Sequence, residues 1–221
     1  MSKIAQDENR LPNGVILALI LTIIGLIGAL AIWWLPRGVL EGLFKHIRQV
    51  IDMGGGYLVL FPFFIIFIKK VYKKNIIELC FGSKAALKDI LLGLGASPLL
   101  MLLLLVENSL LTGGVYLPEG YLLILFIIIA VSLGPIVEEA FYRGVIYSLL
   151  RRQLGIWWGL SFSALIFALS HFPSGVAEWV PYILTGVPLA LLYEWRKTLL
   201  PSIVAHAGAN LGTILWGLAF Y

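Results

Sequence analysis

Long apolar stretches are the feature of this sequence that most restricts its fold. About seven of them follow one another along 221 residues, and only 13% of the residues are charged. A bilayer-spanning helix needs roughly 20 mostly apolar residues, whereas a soluble domain has about a quarter charged residues. The sequence therefore predicts an all-α, polytopic membrane helix bundle of about seven transmembrane helices. The predicted spans are residues 14–34, 57–68, 90–106, 121–150, 156–171, 179–193 and 201–220.

One segment between the first two spans has a different pattern. In residues 37–52, charged side chains lie between apolar ones that recur at helical spacing, and three glycines follow at 54–56. A helix with one apolar and one charged face lies flat in the headgroup region of a bilayer. We therefore expect residues 37–52 to form an interfacial amphipathic helix.

The distribution of basic residues predicts the orientation in the membrane. The net charge is +4, and most Lys and Arg residues fall in short predicted loops. In a seven-helix topology these loops lie on one side, except for the loop that contains residues 37–52. Cytoplasmic loops carry the excess of Lys and Arg, so we expect the N-terminus inside. The basic loops are at 69–88, 151–152 and 196–197, whereas 107–120 and the C-terminus have no Lys or Arg.

Two kinds of binding site are not supported by the sequence. A nucleic-acid partner needs a basic stripe with stacking aromatic residues, and the sequence has none. The single cysteine, Cys80, excludes an intrachain disulfide and a zinc site built from several cysteines. The lipid bilayer is thus the environment that the composition indicates.

Charged side chains interrupt the fourth predicted helix at Glu138, Glu139 and Arg143. Charged residues inside membrane helices are costly, and they usually mark a functional cavity. Glu139 and Arg143 are four residues apart, so they share a helix face and can pair. Glu138 points elsewhere, and a carboxylate in apolar surroundings suits a general base. A purely structural network of the three residues is the alternative.

Two other predicted helices also carry polar residues. Phe167 and His171 lie near the end of the fifth. His206 and Asn210, four residues apart, lie on one face of the seventh. Each pair alone also fits a structural role, such as hydrogen bonding between helices. At about 1.5 Å rise per residue, Glu138, His171 and Asn210 lie roughly 18–24 Å from the basic side, so we expect the motifs to meet in one layer.

One carboxylate, two imidazoles and one amide can together activate a water molecule. Glu138 and His171 would hold the water and remove its proton. His206 and Asn210 would stabilise the oxyanion that forms on a substrate carbonyl. The sequence favours a site that requires no cofactor, because it has no HExxH motif. Zinc is the alternative, with Glu138, His171 and His206 as ligands and one position open.

The three motifs, in this order on separate apolar helices, resemble the CPBP family of intramembrane proteases. That family includes the type II CAAX prenyl proteases and bacterial proteins with the Abi domain. The resemblance implies an endopeptidase with Glu138 as the essential base and with Glu139 and Arg143 as supporting residues. The family is described both as metalloproteases and as metal-free, glutamate-driven enzymes. The motifs are Glu-Glu-x-x-x-Arg at 138–143, Phe-x-x-x-His at 167–171 and His-x-x-x-Asn at 206–210.

The resemblance also predicts how the chain is divided and what it acts on. Residues 121–221 would form a CAAX-protease-like catalytic helix core. Residues 1–120 would form an N-terminal part, made of membrane helices and the amphipathic helix, that sets substrate preference. The short chain without long loops looks like a prokaryotic member of the family. We therefore expect a prokaryotic plasma-membrane protein that cleaves a peptide or a membrane-anchored protein.

Two functions of other classes stay open at this point. One is a non-enzymatic bacteriocin-immunity or interaction protein of the same fold, for which an intact set of catalytic groups would be unnecessary. The other is an ion-coupled transporter, which also uses intramembrane Glu and His residues. The sequence shows no inverted repeat of the kind on which many transporters are built.

Overall fold

The structure is a computed structural model that describes residues 80–82, 85–111, 115, 117–171 and 176–220. The first and second predicted helices and the amphipathic helix, at 14–34, 57–68 and 37–52, lie outside the described residues. The count of seven transmembrane helices therefore stays a prediction.

Every regular element in the described part of the chain is helical. By length and composition, three stretches of these residues can cross a membrane: Ala86–Ser109, Tyr121–Leu169 and Leu200–Phe220. The chain is therefore an integral membrane protein. The helices are α1 (Ala86–Leu111), α2 (Tyr121–Ile128), α3 (Gly134–Glu139), α4 (Ser148–Leu169), α5 (Val176–Arg196) and α6 (Leu200–Phe220). Two π-helical segments, Ile129–Leu133 and Ala140–Tyr147, come before and after α3.

Gly155 turns the long helical run Tyr121–Leu169 back on itself. Its φ is 83°, a left-handed value that favours glycine. Ser163 Oγ donates a hydrogen bond to the Tyr142 carbonyl oxygen at 3.2 Å. In a straight helix these two residues would be roughly 30 Å apart along the axis. The two arms of the run therefore pack side by side, which agrees with the predicted break between residues 150 and 156.

Small residues allow α1 and α6 to pack closely. A Cβ atom on Gly93 would lie 2.6 Å from Val204 Cβ, and one on Gly208 would lie 2.3 Å from Ser97 Oγ. Real Cβ atoms do not approach other atoms so closely, so these positions need glycine for the two helices to meet. The helix that carries the third polar motif is therefore fixed against α1.

An ion pair also joins α1 to α5. Arg196, the last residue of α5, pairs with Asp89, whose side chain is fully buried. A charge buried in this way is tolerated because it has an oppositely charged partner.

Residues 76–221 form one compact unit. The predicted division of the chain after residue 120 is a separate matter and stays a prediction.

Charged residues fasten α4 to the end of α5, where Glu194 and Lys197 lie outside the three membrane-length stretches. Glu194 accepts hydrogen bonds from Arg151 Nε at 2.6 Å and Arg151 Nη2 at 2.9 Å. It also accepts one from the Tyr147 hydroxyl at 2.8 Å and forms an ion pair with Lys197. Burial opposes its charge, but the hydrogen bonds from these three groups lower the pKa of Glu194 to about 2. This cluster therefore holds α4 and α5 together while Glu194 is ionised.

Candidate active site

Glu139 and Arg143 form a buried ion pair. Arg143 Nη1 donates to Glu139 Oε1 at 2.8 Å, and the two side chains are 1% and 0% exposed. Arg143 Nη2 donates to the Gly186 carbonyl oxygen of α5 at 3.1 Å. An uncompensated buried charge would be strongly destabilising, so the arginine needs both partners. The pairing that the sequence spacing predicted is present, and it also connects α5 to the site.

His206 contacts the carboxylates of both adjacent glutamates. Its Nδ1 lies 2.9 Å from Glu139 Oε1, and its Nε2 lies 3.8 Å from Glu138 Oε2. An ionised carboxylate only accepts hydrogen bonds, so the Nδ1 atom of His206 carries a hydrogen. The Glu138 side chain is 13% exposed, whereas that of Glu139 is fully buried. The sequence spacing predicted that Glu138 and Glu139 point in different directions, but both carboxylates lie near the His206 ring.

The backbone and an aromatic ring fix the orientation of His171. Its Nδ1 lies 2.8 Å from the Phe167 carbonyl oxygen. A carbonyl oxygen can only accept, so Nδ1 carries a hydrogen and a neutral ring has its lone pair on Nε2. The His171 ring stacks on Tyr182, with centroids 4.3 Å apart and planes inclined by 27°. His171 is therefore held so that Nε2 can accept a hydrogen bond.

The buried Phe167 ring contacts members of all three motifs. Its centroid lies 4.6 Å from the His171 ring and 6.2 Å from the His206 ring. The guanidinium carbon of Arg143 lies 4.6 Å from the same centroid, which is a cation–π contact. Tyr142 packs edge-on against the ring at 5.1 Å. The Phe167 ring on α4 therefore contacts side chains of the helical run before Gly155 and of α6, and it sets the spacing of the site.

Asn210 is turned toward the backbone of the first π-helical segment. Its Nδ2 donates to the Ala130 carbonyl oxygen at 2.8 Å. One of its two amide hydrogens is used in this bond, which leaves the second for the oxyanion role that the sequence predicted. Asn210 thus joins the third motif to the helical run that leads into Glu138.

The structure brings the three predicted motifs together, and it adds residues that the sequence did not indicate. Tyr182 supports the His171 ring, and the Gly186 carbonyl oxygen accepts from Arg143. A Cβ atom on Gly186 would lie 3.0 Å from Ala164 Cα. In the sequence, the indication of this close approach is that Gly186 lies inside a predicted helix. The catalytic roles of the motif residues stay predictions at this stage.

Zinc was the alternative cofactor, with two histidines and a glutamate as its ligands. The donor types suit zinc. In the described part of the chain, however, no three His, Cys, Asp or Glu side chains are grouped so that they could hold a metal ion. Zinc binding therefore stays a prediction that a chelator experiment tests.

The fold and the site together define a class of protein. It is an integral membrane helix bundle in which carboxylates, imidazoles and a guanidinium are buried together. Residues 120–212 match the family model described as type II CAAX prenyl endopeptidase Rce1-like, and this stretch contains all three motifs. Over these residues the chain is similar to the Rce1-like family, which confirms the resemblance inferred from the motifs. No curated protein and no solved structure matched the chain.

Proposed function

We propose that this protein is a CAAX-type intramembrane endopeptidase that cleaves peptide bonds with a water molecule activated at Glu138. The contact of His206 with both carboxylates is the observation that carries the proposal. Glu139 already neutralises Arg143. A second carboxylate beside the same imidazole therefore adds the free-energy cost of burying another charge, which the ion pair does not need. Charged groups buried at such a cost usually mark a functional site.

The charges of the site support His206 as a donor to an oxyanion. The formal charges of two glutamates and one arginine add up to a net negative charge in a largely buried place, which is unfavourable. A second proton on His206 balances that charge. Because Nδ1 already donates to Glu139, the added proton is on Nε2, which faces the space beside Glu138. An N–H group directed into that space can stabilise a developing oxyanion.

Glu138 and His171 are proposed to hold the attacking water. The Nε2 lone pair of His171 is an acceptor, and Glu138 is linked to His171 through His206 and the Phe167 ring that both imidazoles contact. A water molecule that donates one hydrogen to each group, at about 2.8 Å, presents its own lone pair to a substrate carbonyl carbon. Two acceptors thus orient the nucleophile, and only the carboxylate needs to take a proton.

The proposed reaction balances without a cofactor. The water oxygen bonds to the carbonyl carbon while its proton moves to Glu138. The resulting oxyanion accepts the hydrogen bond from His206 Nε2. The tetrahedral intermediate then collapses, the C–N bond breaks, and Glu138 returns the proton to the leaving amine. Glu139 and Arg143 support the site by holding His206.

The substrate and the setting follow from the same proposal. We propose a peptide or a membrane-anchored protein as substrate, because the site lies among helices of membrane length. Residues 1–120 are proposed to set substrate preference. The N-terminus is proposed to be inside, in a prokaryotic plasma membrane, because the basic loops would then be cytoplasmic.

Cleavage of membrane-anchored peptides by purified protein tests the proposal. Wild type, Glu138→Gln and the control Glu119→Gln, which changes an exposed residue, are incubated in detergent with a peptide library. Products are identified by mass spectrometry, with and without a metal chelator. We expect cleavage by wild type and Glu119→Gln, none by Glu138→Gln, and no effect of the chelator. Equal cleavage by all three would remove Glu138 from the mechanism, and no cleavage by wild type would favour the non-enzymatic interaction protein.

A further inference from the structure

The first π-helical segment deprives one carbonyl group of its helical partners. The N–H of Gly134 donates to the carbonyl of Ile129, five residues earlier, instead of to Ala130 as in an α-helix. In the π pattern, the donor to the next carbonyl would be residue 135. That residue is Pro135, which has no N–H. The carbonyl of Ala130 therefore has neither its α-helical nor its π-helical donor.

The side chain of Asn210 supplies the missing donor. Its Nδ2 lies 2.8 Å from the Ala130 carbonyl oxygen. A backbone carbonyl that lacks a partner inside a membrane is costly, because no bulk water is there to replace the bond. Pro135 itself is fully buried. The amide of Asn210, on α6, thus completes the hydrogen bonding of the distant helical run that begins at α2.

We propose that Asn210 is a positioning residue that replaces the hydrogen-bond donor absent at Pro135 and so fixes the junction between the π segment and α3. Glu138 and Glu139 are the last two residues of α3 and follow that junction closely. The inference rests on the proposed function and refines it, because it assigns the amide of Asn210 to the backbone that orients the glutamates.

The rotation of α3 is what this junction sets. Each hydrogen bond of a π-helical segment spans one residue more than a hydrogen bond of an α-helix. One residue corresponds to about 100° of rotation about the helix axis. A change at the junction would therefore turn Glu138 and Glu139 about the helix axis. Their contacts with His206, at 3.8 Å and 2.9 Å, would be lost together.

Rescue of an Asn210 variant by a change at Pro135 tests this inference. The proteins compared are wild type, Asn210→Ala, Pro135→Ala and the double variant. In the Pro135→Ala background, the new backbone N–H can donate to the Ala130 carbonyl, so the amide of Asn210 is no longer needed. The kinetic readout is kcat and KM for a peptide that wild type cleaves.

A positioning role and an oxyanion role give opposite results. We expect Asn210→Ala to lower kcat by at least about tenfold with KM within about threefold, since chemistry and not binding is affected. The double variant should recover to within about threefold of Pro135→Ala alone. A double variant as slow as Asn210→Ala would overturn the proposal, because a lost donor to the reacting atoms cannot be replaced at residue 135.

Thermal unfolding in detergent tests this inference independently of the proposed function. Asn210→Ala should lower the unfolding midpoint more when residue 135 is Pro than when it is Ala. Equal losses in both backgrounds would contradict the coupling. Glu138→Gln is measured in parallel: if it cleaves like wild type, the proposed function fails, whereas the unfolding comparison still decides whether Asn210 serves the Ala130 carbonyl.

Discussion

His206 Nδ1 and Glu139 Oε1 lie 2.9 Å apart, and this contact joins α6 to α3. The same carboxylate oxygen accepts a hydrogen bond from Arg143 at 2.8 Å. Glu139 is therefore shared between a cation that anchors it and an imidazole that it orients. Glu138 Oε2 lies 3.8 Å from the other nitrogen of His206, and Glu138 is the carboxylate that we propose as the general base.

The two adjacent glutamates should differ in their effect on stability. Glu139→Gln leaves the buried guanidinium of Arg143 with a neutral partner, so we expect a loss of about 3 kcal/mol in the free energy of unfolding. Glu138→Gln should cost at most about 1 kcal/mol, because Arg143 keeps its Glu139 partner. Unfolding in detergent, followed by circular dichroism, measures both. Similar losses for the two variants would show that the division of roles is wrong.

Removal of the ring at the centre of the site should destabilise the protein. Phe167 is 2% exposed and contacts all three motifs, so Phe167→Ala should cost about 3 kcal/mol through lost packing and an open cavity. Phe162→Ala is the control on the same helix, since Phe162 is 40% exposed, and it should cost less than about 1 kcal/mol. A small effect at Phe167 would mean that the surrounding side chains do not depend on the ring.

The bend at Gly155 gives a prediction that separates backbone strain from crowding. A Cβ atom would meet nothing within 4 Å at either Gly155 or Gly95, but only Gly155 has a positive φ, 83°. Gly155→Ala should therefore destabilise the protein by about 1–2 kcal/mol. Gly95→Ala, within helix α1, should be neutral or stabilising by about 0.5–1 kcal/mol. If both substitutions have the same effect on the unfolding midpoint, the left-handed turn is not required.

The Glu194 cluster should make stability depend on pH in the acid range. Its pKa is lowered from 4.5 to about 2 in the folded protein. Its contribution is therefore fully present above pH 4.5 and is lost as the pH falls through about 2. Glu194→Gln should lower the unfolding midpoint at neutral pH and flatten its fall between these two values. Glu119→Gln, at an exposed position, should leave the profile unchanged, and an unchanged profile for Glu194→Gln would contradict the cluster's role.

Helices and the pairing within one motif could be predicted because both depend on local spacing. The predicted span 201–220 and the observed Leu200–Phe220 differ by one residue, since apolar length alone decides such a span. The pair Glu139–Arg143 follows from a separation of four residues. The common depth of the motifs followed from the rise per residue, and the structure brings them into contact.

The remaining features depend on contacts between residues that are distant in sequence, so no local sequence pattern predicts them. The π segment before α3 is completed by Asn210, which lies 80 residues after Ala130. The stacking of Tyr182 on His171 likewise needs the packing of α5 against α4. Helical spacing also placed the two glutamates on different faces, whereas His206 reaches both. Such features are set by tertiary structure and not by sequence periodicity.

We propose that a water molecule activated by Glu138 attacks the scissile carbonyl directly. The origin of the oxygen in the new carboxyl group tests it, in a single turnover with excess enzyme in heavy-oxygen-labelled water. We expect wild type to release a product with one labelled oxygen and Glu138→Gln to release no product. An unlabelled carboxyl group in the first turnover would exclude direct attack by water, because the oxygen would then come from a protein side chain that attacks the peptide bond itself.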